Sequence, residues 1–244
     1  MNINILRFET VDSTNSEAAR QARLGAPEGT CVIAEYQTAG RGRYGRHWIS
    51  AAGAGLYFSI VLRPRLRMAE MPLITLMAGV AVHETLVRIG LLGPDIKWVN
   101  DVLVADKKIS GILSETLDTA TGPAVIVGIG INLRSAELPT ATSVEAELGK
   151  APAVDDLAEA LTTNLTYFYR MLGGESGPSL ILEQWQQRSS YFSGKSVRVV
   201  VANEALEGIT DGLEQNGALR LKLTNGGIRI IQAGEVETLR QTPD

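Results

Sequence analysis

The stretch IKWVNDVLVADKKISGILSETLDTATGPAVIVGIGINL, Ile96–Leu133, decides the fold. Three apolar runs, Ile96 to Val104, Ile109 to Leu117 and Val125 to Leu133, are joined by segments too short for the crossover helix that parallel neighbours require. Ala105-Asp106 has the length of a two-residue hairpin turn. The spacing predicts hairpin pairing, and with it a mixed, largely antiparallel sheet instead of a strand–helix–strand array.

Outward from this core, Cys31 to Tyr36 and Gly55 to Leu62 read as two further strands. Pro72 to Ile89 has helical periodicity and stops at Gly90. Ser13 to Leu24 reads as a helix that opens on the capping-box spacing Thr14-Asn15-Ser16-Glu17, with a polar loop leading into it. Helices are also predicted over Val154–Leu172 and Ser179–Arg188. From Ser193 the texture changes to short strands, Lys195–Val201, Leu206–Leu213, Ala218–Leu223 and Ile228–Ile231, with Asn216-Gly217 and Asn225-Gly226 as turns. The expectation is an α+β chain of two domains: residues 1–192, a sheet flanked by helices, and residues 193–244, a small β-barrel.

The 244 residues are 45% hydrophobic, enough to bury such a core, and the net charge of −4 gives non-specific nucleic-acid binding no help. A single cysteine, Cys31, excludes an intrachain disulfide, and with only His47 and His83 beside it no His/Cys zinc spacing can be written. Nothing at the start reads as a signal peptide and no apolar run approaches a membrane span, so a cytoplasmic protein is expected.

Two motifs fail on context. Gly40-Arg41-Gly42-Arg43-Tyr44-Gly45 fits the dinucleotide pattern G-x-G-x-x-G, yet a strand follows where a helix N-terminus would have to receive the pyrophosphate. Gly194-Lys195-Ser196 lacks the first glycine of a P-loop, Ser189 standing there. Cys31 lies in an apolar strand with no base nearby, which fits packing better than nucleophilic chemistry.

Two constellations survive. Arg41, Arg43, Arg46 and His47 crowd a glycine-rich loop that closes on Trp48. Glycines admit a phosphate to the backbone, guanidiniums bind it bidentately, and a tryptophan shields a labile group from water. The loop is expected to be mobile until an anion lies between its arginines; the bland alternative is a solvated loop that binds nothing. In the second, Lys97-Trp98-Val99-Asn100-Asp101 and Lys107-Lys108-Ile109-Ser110-Gly111 put charged residues into paired strands, where they need partners. The hairpin turn brings Asp101 and Lys108 onto neighbouring strands. Simple alternation places Lys108 on the face of Ser110 and Ile112, with Lys107 on that of Ile109. The alternative is an edge hairpin whose lysines deter aggregation.

These motifs, together with Gly128-Ile129-Gly130-Ile131-Asn132-Leu133, resemble those of the biotin–protein ligases in order and separation, over roughly residues 8 to 240. The resemblance implies a biotin/lipoate ligase-like catalytic domain with a C-terminal SH3-like barrel. It does not extend to the DNA-binding helix-turn-helix of bifunctional members, so a monofunctional ligase without DNA contact is expected. The implied activity joins biotin to ATP as biotinoyl-adenylate, with Mg²⁺, and passes the acyl group to a lysine of a biotin carboxyl carrier protein. By family position, Ser13, Thr14, Asn15, Gln37 and Arg41 to Arg43, Gly42 included, would contact biotin. Arg46, Trp48 and Asn132 would lie toward the nucleotide, and Gly40, Lys97 and Asn100 belong to the same binding set. Lys108 would hold the biotin carboxylate and α-phosphate, Gly111 would admit the ligand to the backbone, and Lys108, Arg43 and Asp101 would serve the chemistry. No protein ligand to the metal is assigned, and a homodimer is left open. An N-cap role alone also explains Thr14, and strand packing alone explains Gly111. Trp98 reads as core or pocket wall. Val99 stands where the family usually has proline, which removes a backbone restraint but no charge.

The nearest rival is an octanoate or lipoate ligase of the same superfamily, opposed by the biotin-type form of the glycine loop. A rival from another class is a nucleic-acid binder using Arg41 to Arg46 with Arg63, Arg65 and Arg67, opposed by net charge and by missing aromatic interleaving.

Overall fold

The computed structural model describes residues 1–134, 138–201 and 204–238. A seven-stranded sheet is ordered β1 (Asn4–Val11), β2 (Thr30–Gln37), β3 (Gly55–Leu62), β7 (Gly122–Asn132), β6 (Lys107–Thr119), β5 (Asp101–Val104), β4 (Asp95–Lys97). Only β1 and β2 run parallel; every other pair is antiparallel. The mixed, largely antiparallel sheet is therefore present.

The two faces of the sheet differ in a way that β7 makes plain. Val125, Val127, Ile129 and Ile131 point to one side and join the main core beneath α2 (Leu73–Arg88), α4 (Val154–Leu172) and α5 (Gly177–Gln186). Ala124 and Ile126 point to the other side, where α1 (Thr14–Arg23) lays Ala18 and Ala22 against Val32 and Val61. Further along that same face the side chains shrink to Gly128 and Gly130, as strand alternation requires. The glycines leave a hollow just beyond the N-terminus of α1.

Several expectations need correction. The polar loop expected before α1 is strand β1: an edge strand carrying Arg7 and Glu9 on exposed positions has little apolar signal. The run Ile96–Val104 is two strands, not one, folded back through Trp98–Asn100, where the Trp98–Val99 peptide is cis. The capping box at Thr14 does not form; Ser13 is the N-cap residue and makes no side-chain cap bond. A short helix, α3 (Val144–Leu148), was not anticipated. By length and composition Met68–Arg88 is apolar enough to cross a membrane, contrary to the sequence reading, but it contains α2, whose buried residues run from Leu73 to Leu86 through the core. The turn at Ala105-Asp106 is as expected, both residues taking positive φ.

The C-terminal strands β8 (Ser193–Val201), β9 (Glu204–Leu213), β10 (Leu219–Leu223), β11 (Ile228–Ile231) and β12 (Glu235–Thr238) form an antiparallel sheet ordered β11-β10-β9-β8-β12. This antiparallel sheet is the smaller β unit expected; among the described residues β11 and β12 are not paired, and residues 202–203 and 239–244 lie outside the description. Trp98, itself buried, donates its indole N–H to the carbonyl of Gly217 at 3.0 Å and so ties this sheet to the turn between β4 and β5.

Candidate active site

Fourteen of the residues singled out in the sequence come together around one cavity of about 140 Å³: Ser13, Thr14, Asn15, Gln37, Arg41, Gly42, Arg43, Arg46, Trp48, Lys97, Asn100, Asp101, Lys108 and Gly111. Gly40 and Asn132 do not line it. Gly40 sits at the base of the glycine loop, where its carbonyl accepts from the Trp48 amide at 2.9 Å and a Cβ would overlap the Trp48 carbonyl. Asn132 lines a second chamber of about 290 Å³, floored by Ile49, Ala51, Ala54, Tyr57 and Leu138. Trp48, Lys108, Asp101, Arg46, His47 and Tyr57 border both chambers.

At the first chamber's closed end, the N-terminus of α1 presents buried polar groups. The backbone N–H of Thr14 donates to Gln37 Oε1 at 2.8 Å, its hydroxyl lies 3.2 Å from the same atom, and Gln37 Nε2 donates to Ser50 Oγ at 2.7 Å. Thr14 is thus held by Gln37 and is not a helix cap. Asn15 lies over Gly128, where a Cβ would overlap its Oδ1.

The junction of the two chambers is built by a β-bulge. Pairing of β5 with β6 shifts between Val102 and Leu103, so that Val102 faces Ser110 but Leu103 faces Lys108, and Ile109 is the extra residue. Alternation is therefore inverted beyond the bulge. Lys108 points to the face of Gly111, not to that of Ser110 and Ile112 as uninterrupted alternation predicted. Its Nζ reaches Asp101 Oδ1 at 2.7 Å and lies 5.4 Å from the Trp48 ring centre. Beyond the bulge the Lys108 backbone is held by Thr140 and Thr142, and Asn132 donates to the Thr142 carbonyl at 3.0 Å. Gly111 leaves room here: a Cβ would stand 2.9 Å from the Lys108 ammonium and 2.8 Å from Trp48, so a side chain would displace one or both.

Trp48 packs its indole over Gly130, and its N–H is buried with no hydrogen-bond partner among the described residues. The loop leading to it forms a tight turn with an Arg41–His47 bridge. Its arginines do not simply repel. Arg41 forms a bidentate pair with Glu115, Arg46 pairs bidentately with Glu235, and Arg43 donates to Asn100 Oδ1 at 3.0 Å and to the Gly234 carbonyl at 3.3 Å. The hydrogen bonds from Arg46 hold the Glu235 carboxyl below the usual carboxylate range. Burial lowers Lys97 below an ordinary lysine, against the pull of Asp101. Sequence reasoning missed Glu115 and Glu235, as well as Ser50, Ser59 and Tyr57. A glutamate on the inward face of β6 was the one available signal.

Among the described residues no three His, Cys, Asp or Glu side chains gather as a metal site. Cys31 is buried, and burial pushes its thiol up to about 12, in keeping with packing.

Residues 8–132 match the biotin/lipoate A/B protein ligase family and residues 192–239 match the biotin protein ligase C-terminal domain. The chain belongs to this family. It is 34% identical, over 92% of its length and 96% of the relative's, to the biotin–[acetyl-CoA-carboxylase] ligase of Paracoccus denitrificans. It is 32% identical to the bifunctional ligase/repressor BirA of Bacillus subtilis, over 97% of this chain and 74% of that protein. The biotin protein ligase of Aquifex aeolicus, solved in complex with biotin and ATP, superposes with a TM-score of 0.82 at 29% identity, covering 98% of this chain and 99% of that one.

Proposed function

We propose that the two chambers hold biotin and ATP side by side, and that the chain is an ATP-dependent biotin–protein ligase. The observation that carries this reading is the Lys108–Asp101 pair, which borders both the polar chamber and the chamber floored by Ile49, Ala54 and Tyr57, where ligands in the two would meet. Ser13, Thr14, Asn15 and Gln37 supply the donors and acceptors for a ureido ring. Asn132 and the apolar floor suit a purine.

In the first step a biotin carboxylate oxygen bonds to the α-phosphorus of ATP and the bond to the pyrophosphate oxygen breaks, leaving a mixed anhydride. Both reactants are anions, so fixed positive charge at their meeting point lowers the barrier. Lys108 provides it, held on aim by Asp101; Arg43 and Lys97 stand close by. Burial lowers the Lys97 pKa, and a phosphate beside it would favour the charged form. Among the described residues Asp101 is the one carboxylate at the junction not paired with an arginine, so a Mg²⁺ ion there would take most of its ligands from phosphate oxygens and would offset charge on the triphosphate. In the second step a carrier lysine amine bonds to the acyl carbon and AMP leaves; Asp101 is placed to orient that amine. Trp48 and the glycine loop exclude water from the anhydride.

The same reading divides the chain at 192/193, regards the C-terminal sheet as an SH3-like barrel, and gives the protein a biotinyl carrier domain as partner, no DNA contact and a cytoplasmic setting. Titration calorimetry with biotin and with lipoate tests it: biotin binding with lipoate silent supports it, and the reverse assigns the chain to the rival ligase.

A further inference from the structure

Both ends of the glycine loop are tied into one run of polar contacts. At the start, Arg41 donates to the two carboxylate oxygens of Glu115 at 2.9 and 2.5 Å. Asn15 Nδ2 donates to Glu115 Oε2 at 2.8 Å, and Asn15 Oδ1 accepts from the Ser59 hydroxyl at 2.7 Å. Ser59 also lies 2.8 Å from Thr14 Oγ1, and Thr14 is held by Gln37, whose amide donates to Ser50. Ser50 in turn donates to the Trp48 carbonyl at 3.2 Å. The run leaves the loop at Arg41, passes through the closed end of the polar chamber and returns to the loop at Trp48. Glu115 is its one charged acceptor.

We infer that Glu115 is a positioning residue for the biotin half of the reaction: it fixes the Asn15 amide and the start of the loop together, so that the polar chamber and its cover are set as one unit. The inference rests on the ligase reading above. Its physical basis is the geometry of the carboxylate, one oxygen of which serves both Arg41 and Asn15 while the other serves Arg41. Glutamine at 115 offers a single acceptor oxygen and no charge, so it cannot keep all three bonds. Stability is not the issue, since Arg41 and Glu115 side chains are 43% and 36% exposed and such pairs add little to folding. Nor does the carboxylate reach the second chamber, where the nucleotide would lie.

Steady-state biotin-dependent ATP–pyrophosphate exchange tests the role. Glu115→Gln is expected to raise the KM for biotin about tenfold, the scale of a lost charge-assisted hydrogen bond. The KM for ATP and the melting temperature should stay near wild type, and adenylate should leak faster into solution. Arg41→Met should raise the KM for biotin at least as much, since Arg41 also lines the polar chamber, and the double variant should be no worse than Arg41→Met alone, because the contact that Glu115→Gln weakens is then already lost. An unchanged biotin KM in Glu115→Gln or Arg41→Met, an equal rise in both KM values, or multiplicative effects in the double variant would each overturn the inference. Wild-type protein with no biotin-dependent exchange would instead overturn the ligase reading on which it rests.

Discussion

Lys108 Nζ lies 2.7 Å from Asp101 Oδ1 because the extra residue Ile109 turns the lysine onto the glycine-lined face of the sheet. Without the bulge its ammonium would point toward the helices. Lys107, the exposed neighbour, has no such ion pair among the described residues. Lys108→Ala is therefore expected to reduce adenylate formation about 10²–10³-fold, the scale for losing a charge contact made chiefly in the transition state. Lys107→Ala should retain it, as single-turnover pyrophosphate release will show; equal defects would contradict the bulged register.

The loop is also fastened at its far end, by Arg46 on Glu235 of β12. Glu235 is more acidic in the folded chain than in the unfolded one, so this contact is fully present above the ordinary carboxylate pKa and is lost as pH falls through the lowered folded value. Glu235→Gln at neutral pH should speed amide hydrogen exchange over residues 40–48 about two- to fivefold, in line with a half-exposed ion pair. Wild-type protection should decline only in acid. A pH-independent profile, or a variant indistinguishable from wild type, would show that the contact does not hold the loop.

Trp48 packs over Gly130 between the two chambers, whereas Trp98 and Trp185 are buried in the core. A ligand spanning both chambers is expected to change its surroundings. Biotin with ATP should change the intrinsic fluorescence, and Trp48→Phe should remove most of that change. Gly130→Ala, whose methyl group would overlap the indole, should shift the emission of the ligand-free protein. If the signal survives in Trp48→Phe, the indole is not in the ligand's path.

Cys31 is wholly buried, donates its S–H toward the Gly29 carbonyl, and has its thiol pushed up to about 12. Almost no thiolate exists at neutral pH. Iodoacetamide should leave the native protein unlabelled and active, and label it only on unfolding. Rapid native labelling would contradict the packing assigned to β2.

Strand and helix positions in the main core were legible because their signals are local: β7 is an unbroken apolar run, buried on both faces from Ala124 to Ile129, and Val154–Leu172 carries a helical stripe. β1 was not, since an edge strand with Arg7 and Glu9 outward needs only β2 to form. The site residues were recognisable as motifs, but the contacts between them were not. A bulge has no signature in Lys107-Lys108-Ile109-Ser110, and it decided which face Lys108 serves. Glu115 and Glu235 lie 74 and 189 residues from the arginines they hold, a pairing that only the folded topology creates.

If a biotin carboxylate and the α-phosphate of ATP meet at Lys108, the protein incubated with labelled biotin, ATP, Mg²⁺ and a biotin carboxyl carrier domain will transfer label, which mass spectrometry follows. The expected result is one biotin amide on the carrier's lysine, dependent on ATP, together with pyrophosphate release, and both lost in Lys108→Ala. A carrier that stays unmodified under wild-type protein, or one labelled equally well by Lys108→Ala, would contradict it.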